Sequence, residues 1–234
     1  MVKPWHGAGN DQGSMGIGAA ISSCATCPLG KASGVGVGGR CPFVDRGRQA
    51  GQYIYLEGEP ADMVWFIRRG TVVLSRTGGD GDVDSAHAVR GEGAMLGLEG
   101  LIGADHVDSA RAVSDVRLCG APRDTVDAWL GPANGPARTL LTQTISSGVQ
   151  QPPRAASPDG RAVHRVARWI LEQSHAGETP LVPRGVLANL LGMVPETLSR
   201  ALTQLAKAGT ITRTRSSLRI KDEPRLRELA LPRQ

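Results

Sequence analysis

The run LVPRGVLANLLGMVPETLSRALTQLAKAGTI, residues 181–211, reads as two helices meeting at Gly192. Val186, Leu187, Leu190 and Leu191 fall at helical spacing, and Gly192-Met193-Val194 then interrupts the pattern. Pro195 brings the preset φ favoured in a helical first turn. In the second helix Leu198, Leu202 and Leu205 recur at i, i+4 and i+7 and share one face, while Glu196, Ser199 and Arg200 project from the other. Two short helices joined by a tight glycine turn make a helix-turn-helix, whose second helix presents its N-terminal residues to the DNA major groove. The outward residue types suit that place. An arginine donates two hydrogen bonds to guanine O6 and N7, a carboxylate accepts from cytosine N4, and a hydroxyl serves several bases. Thr197 beside them and Arg184 at the start of the first helix complete the DNA-contacting candidates of this segment. The competing reading makes Glu196 and Arg200 an i, i+4 ion pair on a solvated face, worth about 0.2–0.5 kcal/mol.

Gly209 ends the second helix. Beyond it, residues 210–220 mix β-branched and basic residues around Ser216-Ser217, a turn signal, and predict a short hairpin wing with Arg213, Arg215 and Arg219 toward phosphates. Charge divides the same way. Residues 151–234 hold 14 Lys and Arg against 7 Asp and Glu, a net +7, whereas residues 1–150 hold 13 against 15, a net −2. A basic C-terminal part on a near-neutral remainder fits a DNA-binding module joined to a second domain.

The segment RGVLANLLGMVPETLSRALTQLAKAGTI resembles the recognition region of the Crp/Fnr transcription regulators, with the Glu-x-x-Ser-Arg pattern of the Fnr branch at Glu196, Ser199 and Arg200. The resemblance implies a homodimer that reads double-stranded DNA with palindromic TTGA-type half-sites and meets RNA polymerase through surface loops. Two copies are needed because one recognition helix reads one half-site.

Four cysteines stand at Cys24, Cys27, Cys41 and Cys119. Cys24-Ala25-Thr26-Cys27 is a C-x2-C, thirteen residues precede Cys41, and Cys119 is remote. A C-x2-C brings two thiolates to one centre, and tetrahedral sulfur ligation suits zinc or an iron–sulfur cluster equally. Unrelated thiols are a further reading, as is a thiol-disulfide switch. Fnr-type regulators carry an N-terminal cysteine group plus one distant cysteine that together hold a [4Fe-4S] cluster, and the resemblance maps Cys24, Cys27, Cys41 and Cys119 onto that set. Oxygen or nitric oxide would then dismantle the cluster and weaken dimerisation and DNA binding. Two departures stand out: the glycine-rich insert of residues 31–40, and only residues 44–50 where the family places a helix before the first strand.

The string QYIYLEGEPADMVWFIRRGTVVLSR alternates short apolar runs with glycine turns, as an antiparallel β-roll does, and resembles the cyclic-nucleotide-binding-type sensor fold of the same family. Family nucleotide sensors use a Gly-Glu pair for the ribose and Arg-Ser/Thr-Ala for the phosphate. Here Gly91-Glu92 is followed by Asp108-Ser109-Ala110, with an acid where a cation is needed, which argues against a cyclic nucleotide. Leu141, Ile145 and Val149 repeat at i, i+4 and i+8 and predict a dimerisation helix that Pro152-Pro153 stops, leaving a loose connection to the DNA domain. His87 and His106 read as surface residues, with haem or metal ligation as the rival.

The expected architecture is α+β: a flexible tail over 1–23, a cysteine segment over 24–43, a β-roll sensor over 44–135, a dimerisation helix over 136–153 and a winged helix-turn-helix over 154–234. Without an apolar run of eighteen residues or a signal-peptide core, the chain reads as cytoplasmic. No paired catalytic carboxylates or nucleophile motif marks an enzyme.

Overall fold

The computed structural model describes residues 24, 26–34, 40–77, 85–131, 135–150, 161–174, 178–180, 182–214 and 217–231. The tail of residues 1–23, Arg215, and the linker around Pro152-Pro153 lie outside them.

A short helix α1 (Pro28–Ala32) opens the described chain, followed by eight strands: β1 (Val44–Arg48), β2 (Tyr53–Tyr55), β3 (Met63–Arg69), β4 (Val72–Arg76), β5 (Ser85–Arg90), β6 (Met95–Leu96), β7 (Ser109–Ala112) and β8 (Val116–Pro122). They form two antiparallel sheets with orders β1-β8-β3-β6 and β2-β7-β4-β5. Alternation along each strand assigns its faces. Trp65 and Ile67 of β3, Val72 and Leu74 of β4, and Val116 and Leu118 of β8 fill the space between the sheets. Val64, Phe66, Cys119 and Ala121 point to the outer side of the first sheet, where Phe43, Cys27 and Val126 cover them. Both faces of β3 are therefore dry, so VWFI is a continuous apolar run.

β1 begins directly after Phe43, so no helix stands between the third cysteine and the first strand. The sequence reading began the roll at residue 44 but placed its first strand at Tyr53, and so missed β1. Val44-Asp45-Arg46-Gly47-Arg48 has no apolar alternation, and its strand state comes from pairing with β8. Helix α1 between Cys27 and Cys41 was likewise unforeseen.

Helix α2 (Arg123–Trp129) and a 3-10 helix (Leu98–Ile102) flank the roll, and α3 (Pro136–Gln150) lies against the 3-10 helix. Arg138 ties α3 to α2 through Asp127 and also donates to the Gly131 carbonyl at 3.1 Å. Ile145, assigned to a seam for a partner helix, is buried within the single chain, and Leu141 and Val149 are half-buried. Leu140 is the apolar residue α3 leaves to solvent, at 71% exposure.

The C-terminal part comprises α4 (Ala162–Gln173), β9 (Glu178–Pro180), α5 (Arg184–Leu190), α6 (Pro195–Lys207), β10 (Ile211–Arg213), β11 (Ser217–Ile220) and α7 (Glu223–Ala230). The wing is a three-stranded sheet, β10-β11-β9. Ser217 belongs to β11 rather than to the turn, and β9 and α7 had no clear signal in sequence. Val166, Ile170, Leu198, Leu205 and Leu226 form the centre of this domain, each essentially without solvent contact.

The expected loose connection is not what the structure shows. Val73 and Val89, on the outer face of the second sheet, join the same buried apolar cluster as Leu187, Ala188 and Leu191. The Asn189 side-chain carbonyl accepts a hydrogen bond from the Ala86 amide at 3.1 Å. The two domains thus bury apolar surface against one another. The roll therefore carries the cysteine segment on one outer face and the helix-turn-helix on the opposite one.

Candidate nucleic-acid interface and cysteine site

Helices α5 and α6 are set by their termini. Gly192, at φ +58°, lets its own amide bond the Asn189 carbonyl at 2.9 Å and the Met193 amide bond the Ala188 carbonyl at 2.9 Å. Gly209, at φ +73°, ends α6 in the same way, with its amide on Ala206 and that of Thr210 on Leu205. These paired bonds satisfy the last carbonyls of a helix, and the left-handed φ they require costs a residue with a Cβ about 1 kcal/mol or more. Arg165 of α4 reaches across to the Gly192 carbonyl at 3.5 Å.

With Leu198, Ala201 and Leu205 locked inward, α6 turns its polar face out. Glu196 and Arg200 are exposed, and Thr197 and Ser199 are half-exposed. Neither Glu196 nor Arg200 has an ion-pair partner among the described residues, so the i, i+4 pair that would have explained them without DNA does not form. Ser199, Arg200, Thr203, Gln204 and Lys207 line one open concavity along the helix. Thr203, Gln204 and Lys207 were not singled out from sequence, although they repeat the outward positions at i+4 and i+7 from Ser199 and Arg200. Arg184 stands exposed at the first position of α5, and Arg213 exposed on β10.

The four cysteines are free thiols: Cys24 exposed, Cys41 half-buried, Cys27 and Cys119 buried. Cys27 and Cys119 share the apolar cluster on the outer face of the first sheet, and Cys41 packs against it. Burial pushes the Cys119 thiol up to about 11. The Arg68 guanidinium opposes that rise, whereas Asp45 and the nearby Cys24 add to it. Gly30 makes the fold-back of this segment feasible, because a Cβ there would lie 1.9 Å from the Cys24 carbonyl oxygen. The donors fit a sulfur-ligated centre in type and in sharing one face. They are not closed around one: among the described residues no three Cys, His, Asp or Glu stand close enough to hold a metal ion.

Inside the roll, Glu99, His106, Asp108 and Tyr55 form a buried polar group. His106 Nδ1 lies 2.6 Å from Glu99 Oε1, and its ring stacks on Tyr55 at 3.6 Å. Tyr55 Oη donates to Asp108 Oδ1 at 3.4 Å, and His87 Nε2 lies 3.3 Å from Asp108 Oδ2. Burial, and then the Asp108 charge, raise the Tyr55 hydroxyl well above its ordinary value. His106 is thus an interior residue rather than a surface one. Asp108 is engaged by neighbouring side chains, Glu92 is exposed, and Arg111 lies over the Tyr53 ring at 5.9 Å. Asp108 thus puts an acid beside Tyr55, and the cation whose charge acts on Tyr55 is Arg90.

Residues 164–229 match the family described as the Crp-like helix-turn-helix domain, and residues 47–131 match the cyclic nucleotide-binding domain. Between them they cover more than half of the sequence. The chain belongs to the Crp/Fnr family. As a Crp/Fnr-type protein it is a DNA-binding transcription regulator. It is 27% identical over 195 residues to the transcriptional regulatory protein btr of Bordetella pertussis, covering 77% of this chain and 78% of that one. It is 25% identical over 195 residues to the fumarate and nitrate reduction regulatory protein of Yersinia pestis, covering 78% of this chain and 76% of that one. In fold this Crp/Fnr regulator is similar to FixK2 from Bradyrhizobium japonicum, with a TM-score of 0.69 at 24% identity over 82% of this chain and 99% of that one. Regulators of this family bind DNA and act as dimers. Among the described residues no helix is long and apolar enough to cross a membrane.

Proposed function

We propose that this regulator belongs to the Fnr-like branch and couples a cysteine-ligated [4Fe-4S] cluster to DNA binding, reading oxygen, redox state or nitric oxide. Cys24, Cys27, Cys41 and Cys119 would hold the cluster. One observation carries the reading: the cluster of side chains containing Cys27 and Cys119 also packs against Leu98 and Leu101 of the 3-10 helix, and α3 lies on that helix. What happens at the thiols is therefore one packed layer from the proposed dimerisation helix.

When bound, the group supplies an oxidant-sensitive cross-link between the N-terminal segment and β8. The remaining work belongs to the chain. With the cysteines ligated, Cys27 and Phe43 are held over Val64, Phe66 and Cys119, and Leu98 and Leu101 keep their support. Release of the thiols frees that cover and loosens the seat of α3, so that two recognition helices no longer keep the spacing of a palindrome. In the dimer, Glu196, Ser199 and Arg200 read a TTGA-type half-site, with Thr197 beside them, and Arg184, Arg213 and Arg215 bind the backbone. RNA polymerase is the protein partner.

A second reading keeps the DNA function and replaces the cluster with zinc or a bare thiol switch. Cys24 favours it, being solvent-exposed and near enough to Cys119 to act on its ionisation. Anaerobic purification followed by iron and acid-labile sulfide assay tests the first reading. Brown protein with iron and sulfide in comparable amounts supports the cluster, and colourless protein without sulfide rejects it.

A further inference from the structure

Of the large apolar residues that the described chain leaves to solvent, Val194 is the one within the helix-turn-helix, at 59% exposure. It is the N-cap residue of α6, with φ −77° and ψ 151°, and its carbonyl accepts the first intrahelical bond from the Leu198 amide at 3.1 Å. Its extended ψ takes it off the helical repeat, so it belongs neither to the leucine face nor to the polar face. Met193 before it packs against the apolar centre of the domain, whereas Val194 joins none of the apolar clusters among the described residues. Valine is also a poor N-cap. Ser, Thr, Asp and Asn supply a side-chain oxygen to an amide of the first turn, which valine cannot do. The N-cap side chain of α6 accordingly makes no capping bond. Exposed methyls and a missing cap both cost stability, and packing within the single chain offsets neither. A duplex groove offsets the first, because the start of a recognition helix is the part that reaches base edges.

We infer that Val194 is a specificity-determining residue for DNA, packing its side chain on the C5-methyl of a thymine beside the base pairs faced by Glu196 and Arg200. This rests on the proposal that α6 is the base-reading helix. Thymine is the one base that offers a methyl in the major groove, and apolar side chains recognise it. Glu196, Ser199 and Arg200 address hydrogen-bonding edges and leave that methyl unread, so Val194 adds what the polar trio lacks. Burying one methyl is worth about fourfold in affinity for each half-site, and about fifteenfold for a dimer on a palindrome.

Replacing thymine by uracil removes this methyl and keeps every hydrogen-bonding group of the base pair. Fluorescence anisotropy of the full-length protein on a TTGA palindrome, with each thymine of the half-site and its flanks changed symmetrically to uracil one position at a time, tests the inference. At one position the parent should lose about fifteenfold. Val194→Ser removes both methyls and supplies a capping hydroxyl; it should bind the thymine and uracil duplexes alike while its melting temperature holds or rises. Val194→Ala removes the methyls without a cap and should lose the same discrimination. A parent indifferent to uracil at every position, or thymine preference kept in both variants, overturns the inference. A fall in the melting temperature of Val194→Ser also overturns it, because Val194 would then serve the fold. Preference for a different palindrome, selected from a random duplex pool, refutes the TTGA assignment alone, and the uracil scan on the selected duplex then decides for Val194. Equal binding to all sequences refutes base reading by α6 and this inference together.

Discussion

Replacing Arg200 by alanine isolates the recognition chemistry from the fold. The side chain is exposed on α6 and has no ion pair among the described residues, and arginine and alanine are both strong helix formers. Stability should therefore move by no more than about 0.5 kcal/mol. Binding is a different matter. A bidentate arginine contact to guanine is worth about 1–3 kcal/mol of discrimination, which is about 5- to 150-fold in affinity for each half-site. A dimer on a palindrome loses the contact twice, so about 2–6 kcal/mol is at stake for the full site. Arg200→Lys keeps the charge but not the planar fork, and should restore binding to random DNA more fully than binding to the specific site. Fluorescence anisotropy on a TTGA palindrome, on the same duplex changed at one base pair per half-site, and on random sequence measures all three. Equal losses on specific and random DNA would refute the base-reading role, and so would a large fall in melting temperature, which would make Arg200 a fold residue.

Three further outcomes follow from the same geometry. Arg213→Ala, at an exposed position on β10, should weaken specific and random binding alike and lower the slope of log affinity against log salt by about 1; an unchanged slope would remove it from the backbone contacts. Gly30→Ala places a Cβ 1.9 Å from the Cys24 carbonyl, so it should loosen the N-terminal cover, speed alkylation of the buried Cys27 and lower the iron bound per chain, measured by mass spectrometry and metal analysis; parent-like alkylation would show that the segment tolerates the change. Leu140→Glu puts a charge on the exposed apolar position of α3 and should shift a dimer toward monomer in sedimentation velocity without changing the melting temperature of the monomeric form; an unaltered mass would exclude this face from the interface.

Legibility in the sequence followed the range of the interactions involved. The helix-turn-helix was readable because its determinants are local: the leucines of α6 repeat within one helix, and Gly192 and Gly209 close their own last turns through bonds five or fewer residues apart. The strands with apolar alternation or a continuous apolar run, such as β3 and β4, were equally visible. Elements held by distant partners were not. β1 is a strand because β8, 68 to 76 residues away, supplies its hydrogen bonds. β9 is three residues long and depends on β11. His106 looked like a surface histidine because nothing near it in sequence announces that Tyr55 will stack on it or that it will be walled in.

The amino-acid sequence by itself determined the two-domain plan, the outward polar face of α6 and the positions of the four cysteines, since each depends on residue type and short-range periodicity. Tertiary structure decided which of these face one another. It put the cysteines and the DNA-binding domain on opposite sides of one roll, drew Ile145 into the single chain, and joined Val73 and Val89 to the helix-turn-helix despite the prolines between them. Apolar burial is indifferent to chain order, so the surfaces that meet are selected by shape and area rather than by any signal that runs along the sequence.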